Sequence, residues 1–258
     1  MERIELYNGE ITLLYDDDTH TYRIGEEIIP SVTGILDKAI DKPWLAGWAA
    51  KMCGVYLQDN AIEFVNTCIT DDKQVDEIAI EEFIKDMKAS RYRASSKAAN
   101  IGTLVHKTIE HYIAANLSNG MIAMPERPVN ENAMNSLKAY FDWEKENEVE
   151  YIESEFKIYN NMSEYAGTCD IDAVINGKRA IVDIKTSNQF DPKMGLQLAA
   201  YQAAREREHK GPYETRYIIR LDKESGKPYM KEYPDFKEDY DGFLGALNLY
   251  NSLNRSKK

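Results

Sequence analysis

Alternation of apolar and polar positions is clearest in the second half of the chain. Ile152, Phe156 and Ile158 alternate with Tyr151, Glu153, Glu155 and Lys157, which predicts a strand with one buried face. Residues 167–175 read as a second strand. Ala180, Ile181 and Val182 open a third as an apolar, mostly β-branched run, and Asn176-Gly177 between them is a strong hairpin turn. Residues 213–221 and 227–233 form a further predicted hairpin around Ser225-Gly226. Near the start, residues 11–15 and 19–24 read as strands joined at Asp16-Asp17-Asp18.

Helical spacing fills most of the rest. Pro30 and Ser31-Val32-Thr33 lead into a short helix near Ile35 and Leu36. After Pro43, Trp44, Leu45, Trp48 and Ala49 recur at helical spacing, which suits a core better than base stacking. A helix starting at Asp71-Asp72 carries the stripe Val75, Ile78, Ala79, Ile80, Phe83, Ile84 and Met87. Another starts at Ser95-Ser96 and runs towards Ala115. Residues 132–146 turn Met134, Leu137, Tyr140 and Phe141 inward. Residues 194–207 put Gln197, Ala200, Tyr201 and Ala204 on one side. Residues 236–253 are a last helix, and Ser256-Lys257-Lys258 a frayed tail. The pattern predicts an α/β fold: a central mixed β-sheet flanked by helices, with a helical N-terminal half and no βαβ repeats.

The 258 residues suffice for one large domain or two small ones. A net charge of −12 argues against a protein that coats nucleic acid without specificity, but it leaves room for a local basic groove. Lys88, Arg91, Arg93 and Lys97, with Tyr92 among them, are the one basic stretch of the first half. They read equally as a phosphate path or a solvated loop. Three scattered cysteines without a Cys-x-x-Cys suggest neither zinc nor a disulfide framework. The three consecutive Asp residues lack the Gly and Glu of a calcium loop and read as a solvated turn. No signal peptide and no membrane-spanning apolar run is legible, so a cytoplasmic protein is expected.

Chemistry concentrates at residues 170–201. Asp183 and Lys185 alternate with Ile184 and so point to one face at the end of a buried run. Pairing across Asn176-Gly177 brings Asp170 beside Asp183. Two adjacent carboxylates are tolerated around a hard divalent cation, Mg²⁺ or Mn²⁺. Lys185 can orient a water and offset charge on a phosphate. The plainer alternative is a surface hairpin with a salt bridge. Gln197 and Tyr201, one turn apart, can hold Lys185 or the neighbours of a scissile phosphate. His106 and Glu110 share a helix face, and Gly102 inside that helix permits close approach of another backbone.

In order and spacing, these residues resemble the RecB-like exonuclease branch of the PD-(D/E)XK nuclease superfamily. Gly167-Thr168-Cys169-Asp170 is similar to its Gly-x-x-Asp, and Asp183-Ile184-Lys185 to its Asp-x-Lys. Gln197-Leu198-Ala199-Ala200-Tyr201 is similar to its Gln-x-x-x-Tyr, and Gly102-Thr103-Leu104-Val105-His106 to its histidine motif. The likeness spans residues 98–205. A weaker one, from Tyr22 through residues 30–33 to Trp48, is to phage-encoded members. Fewer than four cysteines set the chain apart from the iron–sulfur subgroup. The resemblance implies a restriction-endonuclease-like core as a single domain, 1–258, with 1–94 as an N-terminal β/helical elaboration. It implies a metal held by His106, Asp170, Asp183 and the Ile184 carbonyl, helped by Glu155, with Glu153 or Glu110 as alternates. Asp170, Asp183, Lys185 and Glu155 would be catalytic, and Gln197 and Tyr201 would position the strand. The implied activity is exonucleolytic hydrolysis of DNA ends or single strands in recombination or repair, in a phage setting, with a recombination or annealing protein as partner. An endonuclease of the same superfamily and a non-catalytic DNA-processing adaptor are the alternatives. The adaptor would have lost Asp170, Asp183 or Lys185, and all three are present.

Overall fold

The structure, a computed structural model, describes residues 1–70 and 72–255. Four short strands open the chain as an antiparallel meander: β1 (Glu2–Leu6), β2 (Ile11–Asp16), β3 (Thr21–Ile24) and β4 (Glu27–Ile29). The three-Asp run is the β2–β3 turn, where Asp16 Oδ1 accepts from the backbone N–H of Asp18 (3.1 Å) and Thr19 (3.0 Å). Residues 1–29 are therefore a sheet of four strands, two more than the alternation announced. The outer two are short and mostly exposed, so they carry little hydrophobic signal.

Five further strands make the central sheet in the order β5 (Val149–Asn160), β6 (Tyr165–Ile175), β7 (Lys178–Lys185), β8 (Thr215–Leu221) and β9 (Pro228–Glu232). All neighbours are antiparallel except β7 and β8, which are parallel. The β6–β7 hairpin turns at Asn176 and Gly177, both at positive φ (50° and 80°), as a tight two-residue turn demands. Joining two parallel strands needs a crossover, supplied by α6 (Lys193–Arg207). The chain thus holds one βαβ unit where no repeat of that kind was legible.

Helices α1 (Val32–Ala39), α6 and α7 (Phe236–Asn254) bury Ile35, Leu198, Tyr201 and Phe243 against Ile181 and Ile218 of the sheet. Ser31 Oγ caps α1 by accepting from Gly34 N–H (3.0 Å). The opening sheet is fastened to this core. Leu13, Tyr15 and Tyr22 pack with Tyr159 and Ala166, and Ala166 N–H donates to the Pro30 carbonyl at 3.0 Å. In α5 (Glu131–Glu146) the buried face is Ala133, Leu137, Tyr140 and Trp143. Leu137 and Tyr140 face inward as expected, but Met134 and Phe141 are 45% and 39% exposed, and Ala133 and Trp143 complete the buried face in their place.

The chain divides into two compact units: Met1–Ile40 with the chain from Gly102 onward, and Asp41–Ile101. The second unit holds α2 (Trp44–Asp59), α3 (Ala61–Cys68) and the first part of α4 (Glu77–Leu117). Its packing centres on Phe83, whose ring meets those of Phe64 (4.9 Å) and Tyr56 (5.4 Å). No side chain of α2 is fully buried and Trp44 is 53% exposed, so the expected tryptophan core is absent there. The helix expected from Asp71-Asp72 begins at Glu77, after Asp76 Oδ1 accepts from Ala79 N–H (3.0 Å). Val75 lies instead in a bridge to Ile69. Asp71 itself is outside the described residues, as is the tail Ser256-Lys257-Lys258. Ser95-Ser96 is not a helix start but lies mid-helix in α4, and so does the basic stretch from Lys88 to Lys97, which is no loop. Among the described residues no helix is long and apolar enough to cross a membrane.

Candidate metal centre

Strand register alone lines up three carboxylates. Ile171 pairs with Val182 across β6 and β7, so the next position outward sets Asp170 beside Asp183. On the other side Ser154 pairs with Ile171 and Phe156 with Cys169, so Glu155 lies opposite Asp170. A register shift between Tyr151 and Glu153 fixes which glutamate arrives there: Glu155 meets Asp170, and Glu153 pairs with Asp172 one layer away. Glu155 sits at φ 49°, a costly conformation for a side chain of this kind, and Lys157 Nζ donates to its carbonyl at 2.8 Å.

His106, on the part of α4 that belongs to this unit, places Nδ1 3.4 Å from Asp170 Oδ1. His106, Glu155 and Asp170 each offer one ligand atom, all within 4.8 Å of one another. Asp170 Oδ2 accepts from the Ile184 N–H at 2.6 Å, so the Ile184 backbone borders the site. Asp183 lies outside the three-donor group. Its Oδ2 forms an ion pair with Lys185, and its Oδ1 accepts from Gln197 Nε2 at 2.8 Å. The same Nε2 lies 2.8 Å from the Tyr201 hydroxyl. Gln197 therefore holds the carboxylate partner of Lys185, not Lys185 itself. Glu110 lines the cleft but stays outside the donor group.

Two glycines set the approach distances. A Cβ on Gly167 would come within 2.8 Å of the Tyr201 ring, so the glycine lets α6 lie close to β6. A Cβ on Gly102 would meet the Thr186 hydroxyl at 3.2 Å. The close neighbour of Gly102 is thus a side chain just past β7, not a backbone.

The electrostatics are those of crowded acids with too few bases. Burial and the Asp170 charge push the Glu155 carboxyl up to about 8. Burial pulls the His106 imidazole down, but Asp170 outweighs it and holds the group at about 9. Burial raises Asp183 to about 6 against the pull of Lys185. Asp170 stays below its ordinary value in spite of burial, because His106 faces it. Burial opposes the Lys185 charge, yet Asp183 and Asp170 raise its pKa, so Lys185 is an ammonium here. Four carboxylates, Glu110, Glu155, Asp170 and Asp183, face one imidazole and the two ammonium groups of Lys157 and Lys185, and protons make up the difference.

The neighbouring layer of the same sheet face is balanced in charge. Asp172, fully buried, accepts from the Tyr213 hydroxyl (2.6 Å), Arg179 (2.9 Å) and Arg205 (3.3 Å). Arg205 also donates to Glu153 at 2.5 Å. Gln197, Tyr201 and Arg205 are thus successive turns of one α6 face, laid across both layers. Nothing in the local sequence marked Asp172 and Arg205 as partners. They are 33 residues apart and meet only through the crossover.

The donor group opens into a cleft of about 760 Å³. Its far wall comes from the opening sheet, with Tyr15, His20 and Tyr22 facing Glu155, Lys157 and Asp170. Sequence reasoning missed this wall, whose only signal was alternation in residues 11–15 and 19–24. Comparison with known protein families and with curated proteins finds no match for the chain.

Proposed function

We propose that the chain is a divalent-metal-dependent deoxyribonuclease of exonuclease type, in line with the resemblance to RecB-like nucleases. One observation carries this reading: Glu155, Asp170 and Asp183 stand in a row with a deficit of positive charge, beside a layer where Arg179 and Arg205 remove the same deficit. Two carboxylates and an imidazole are a donor set that suits Mn²⁺ and accepts Mg²⁺. His106, Glu155 and Asp170 would hold the ion, with Asp183 the adjacent carboxylate. When bound, the metal supplies Lewis acidity and a water of lowered pKa. Asp183 keeps Lys185 protonated, which makes it a hydrogen-bond donor to the attacking water or the phosphate and not a base. Gln197 fixes Asp183, and Tyr201 fixes Gln197. Ile184 N–H fixes Asp170. The presence of Asp170, Asp183 and Lys185, the last two ion-paired, favours catalysis over an adaptor role.

The test is a gel assay on end-labelled linear DNA and covalently closed circular duplex, with Mn²⁺, with Mg²⁺ and with chelator. Linear DNA is degraded only with metal and the closed circle survives. Equal cutting of the circle transfers the assignment to an endonuclease. No metal-dependent cutting of either substrate refutes nuclease action.

A further inference from the structure

We infer that the opening β-sheet is a fixed substrate-positioning wall, and that His20 with Lys157 holds a backbone phosphate of a single strand next to the group at the metal centre. The inference rests on the nuclease reading and adds what that reading lacks, a grip on the substrate. His20, exposed at the end of the β2–β3 turn, is held at φ 49°. Strained non-glycine backbone at a cleft is a functional signature when the surroundings enforce it, and Glu155 across the cleft shows the same φ. The Tyr15 hydroxyl lies 2.7 Å from His20 Nδ1. With that hydroxyl donating, Nε2 carries the ring proton and is a donor for a ligand.

Lys157 lies between this wall and the metal centre. Its Nζ sits 4.8 Å above the Tyr15 ring and spends one proton on the Glu155 carbonyl, leaving two for a phosphate. The cleft also bears Glu2, Asp17 and Glu110. Asp17 is faced by Lys107 at 3.5 Å. An anion therefore finds its donors at His20 and Lys157, and acids elsewhere along the cleft repel it from other seats. The wall is fastened in place. Tyr22 OH lies 2.7 Å from Thr168 Oγ1, Tyr7 OH donates to the Tyr159 carbonyl at 2.8 Å, and Ser31 bridges to Ala166. A cleft of about 760 Å³ behind a fixed wall falls in the size range of small-molecule sites, roughly 300–1,000 Å³, and suits a short stretch of one strand rather than a duplex.

The experiment is fluorescence anisotropy with a labelled thymidine oligonucleotide in Ca²⁺, alongside steady-state cleavage in Mn²⁺. The variants are His20→Gly, which tolerates the positive φ, and Lys157→Met, which keeps the contact with the Tyr15 ring. Each variant should raise Kd and KM by roughly tenfold, the loss of a charge-assisted contact, with a much smaller change in kcat. Lys157→Met should also reduce the slope of log affinity against log salt by about one. A blunt hairpin duplex should bind more weakly than the single strand. Variants that bind within twofold of wild type, or a duplex that binds as well as the strand, overturn the wall. If Lys157→Met abolishes the Mn²⁺-induced rise in melting temperature, Lys157 acts through Glu155 and its phosphate role is refuted. A wild-type protein that binds the strand but never cleaves it sinks the nuclease reading and leaves the wall standing. One that neither binds nor cleaves sinks both.

Discussion

Asp172→Ala should be among the most damaging substitutions in the protein while leaving metal binding intact. Asp172 is completely buried and is the common acceptor for Arg179, Arg205 and Tyr213. Its loss leaves Arg205, 2% exposed, with Glu153 and Glu208 as its remaining acidic neighbours, and takes the acceptor from the Tyr213 hydroxyl, which keeps only the bond it receives from Arg205 Nε at 3.3 Å. Removing one partner of a buried ion pair costs roughly 3–5 kcal/mol, because the other charge stays dehydrated. At about 2–4 °C per kcal/mol for a chain of this size, the melting temperature should fall by roughly 6–20 °C. The assay is urea unfolding followed by circular dichroism, run also on Arg205→Met and on the double variant. Arg205→Met removes the stranded charge, so the double variant should lose less than the sum of the singles, by about 1–3 kcal/mol. Below its melting point, Asp172→Ala should still respond to Mn²⁺, since none of the three clustered donors is touched. A cost under about 1 kcal/mol, or strict additivity, would refute the claim that this layer is a buried charge network.

The metal centre makes three further predictions. Without metal, Glu155 and His106 both have folded pKa values above their ordinary ones, at about 8 and about 9. The folded state then binds more protons than the unfolded one, so this contribution is fully present at low pH and is lost as pH rises through those values. Metal must displace the same protons, so the Mn²⁺-induced rise in melting temperature should be larger at pH 8.5 than at pH 6, and melts at the two pH values check it. Lys185→Ala should lower cleavage by on the order of a hundredfold or more. It should not weaken the Mn²⁺ response, because Asp183 loses a competing cation; isothermal titration with Mn²⁺ is the check. Gly167→Ala should destabilise by about 1–3 kcal/mol, as its Cβ forces the Tyr201 ring away, and a thermal melt beside the activity assay will read both effects.

What was legible in the sequence was whatever depends on neighbours along the chain. Asn176-Gly177 fixed one hairpin, and its register carried Asp170 to Asp183. Gln197 and Tyr201 shared a face because helices repeat. Long-range partners were not legible. The target of Gln197 was left open between Lys185 and the neighbours of a scissile phosphate; its Nε2 bonds to Asp183, a choice set by where the crossover lays α6 on the sheet. Glu155 was preferred with Glu153 as alternate, and register was what separated them: an inserted residue between Tyr151 and Glu153 shifts it without a local composition signal. The packing of the first sheet on Tyr159 and Ala166 brings together segments more than a hundred residues apart, and no periodicity encodes it.

The two layers on one sheet face explain why α6 carries such different residues a turn apart. Register gives each layer an acidic pair, Glu153 with Asp172 and Glu155 with Asp170. Neither pair is tolerable in a core without a counter-charge. Where α6 offers Arg205, the counter-charge is built into the chain, and the result is rigid and closed to ions. Where α6 offers Gln197, a neutral donor, it orients Asp183 without neutralising it. The deficit then stays open on the side facing the cleft, where an ion from solution can enter. The same helix thereby anchors one layer and leaves its neighbour reactive, and exchanging the two residue types should exchange those properties. Gln197→Arg should occupy the charge deficit internally, raise the stability of the metal-free protein and abolish its response to Mn²⁺. A Gln197→Arg protein that still gains stability with Mn²⁺ as the wild type does would show that α6 has no such control.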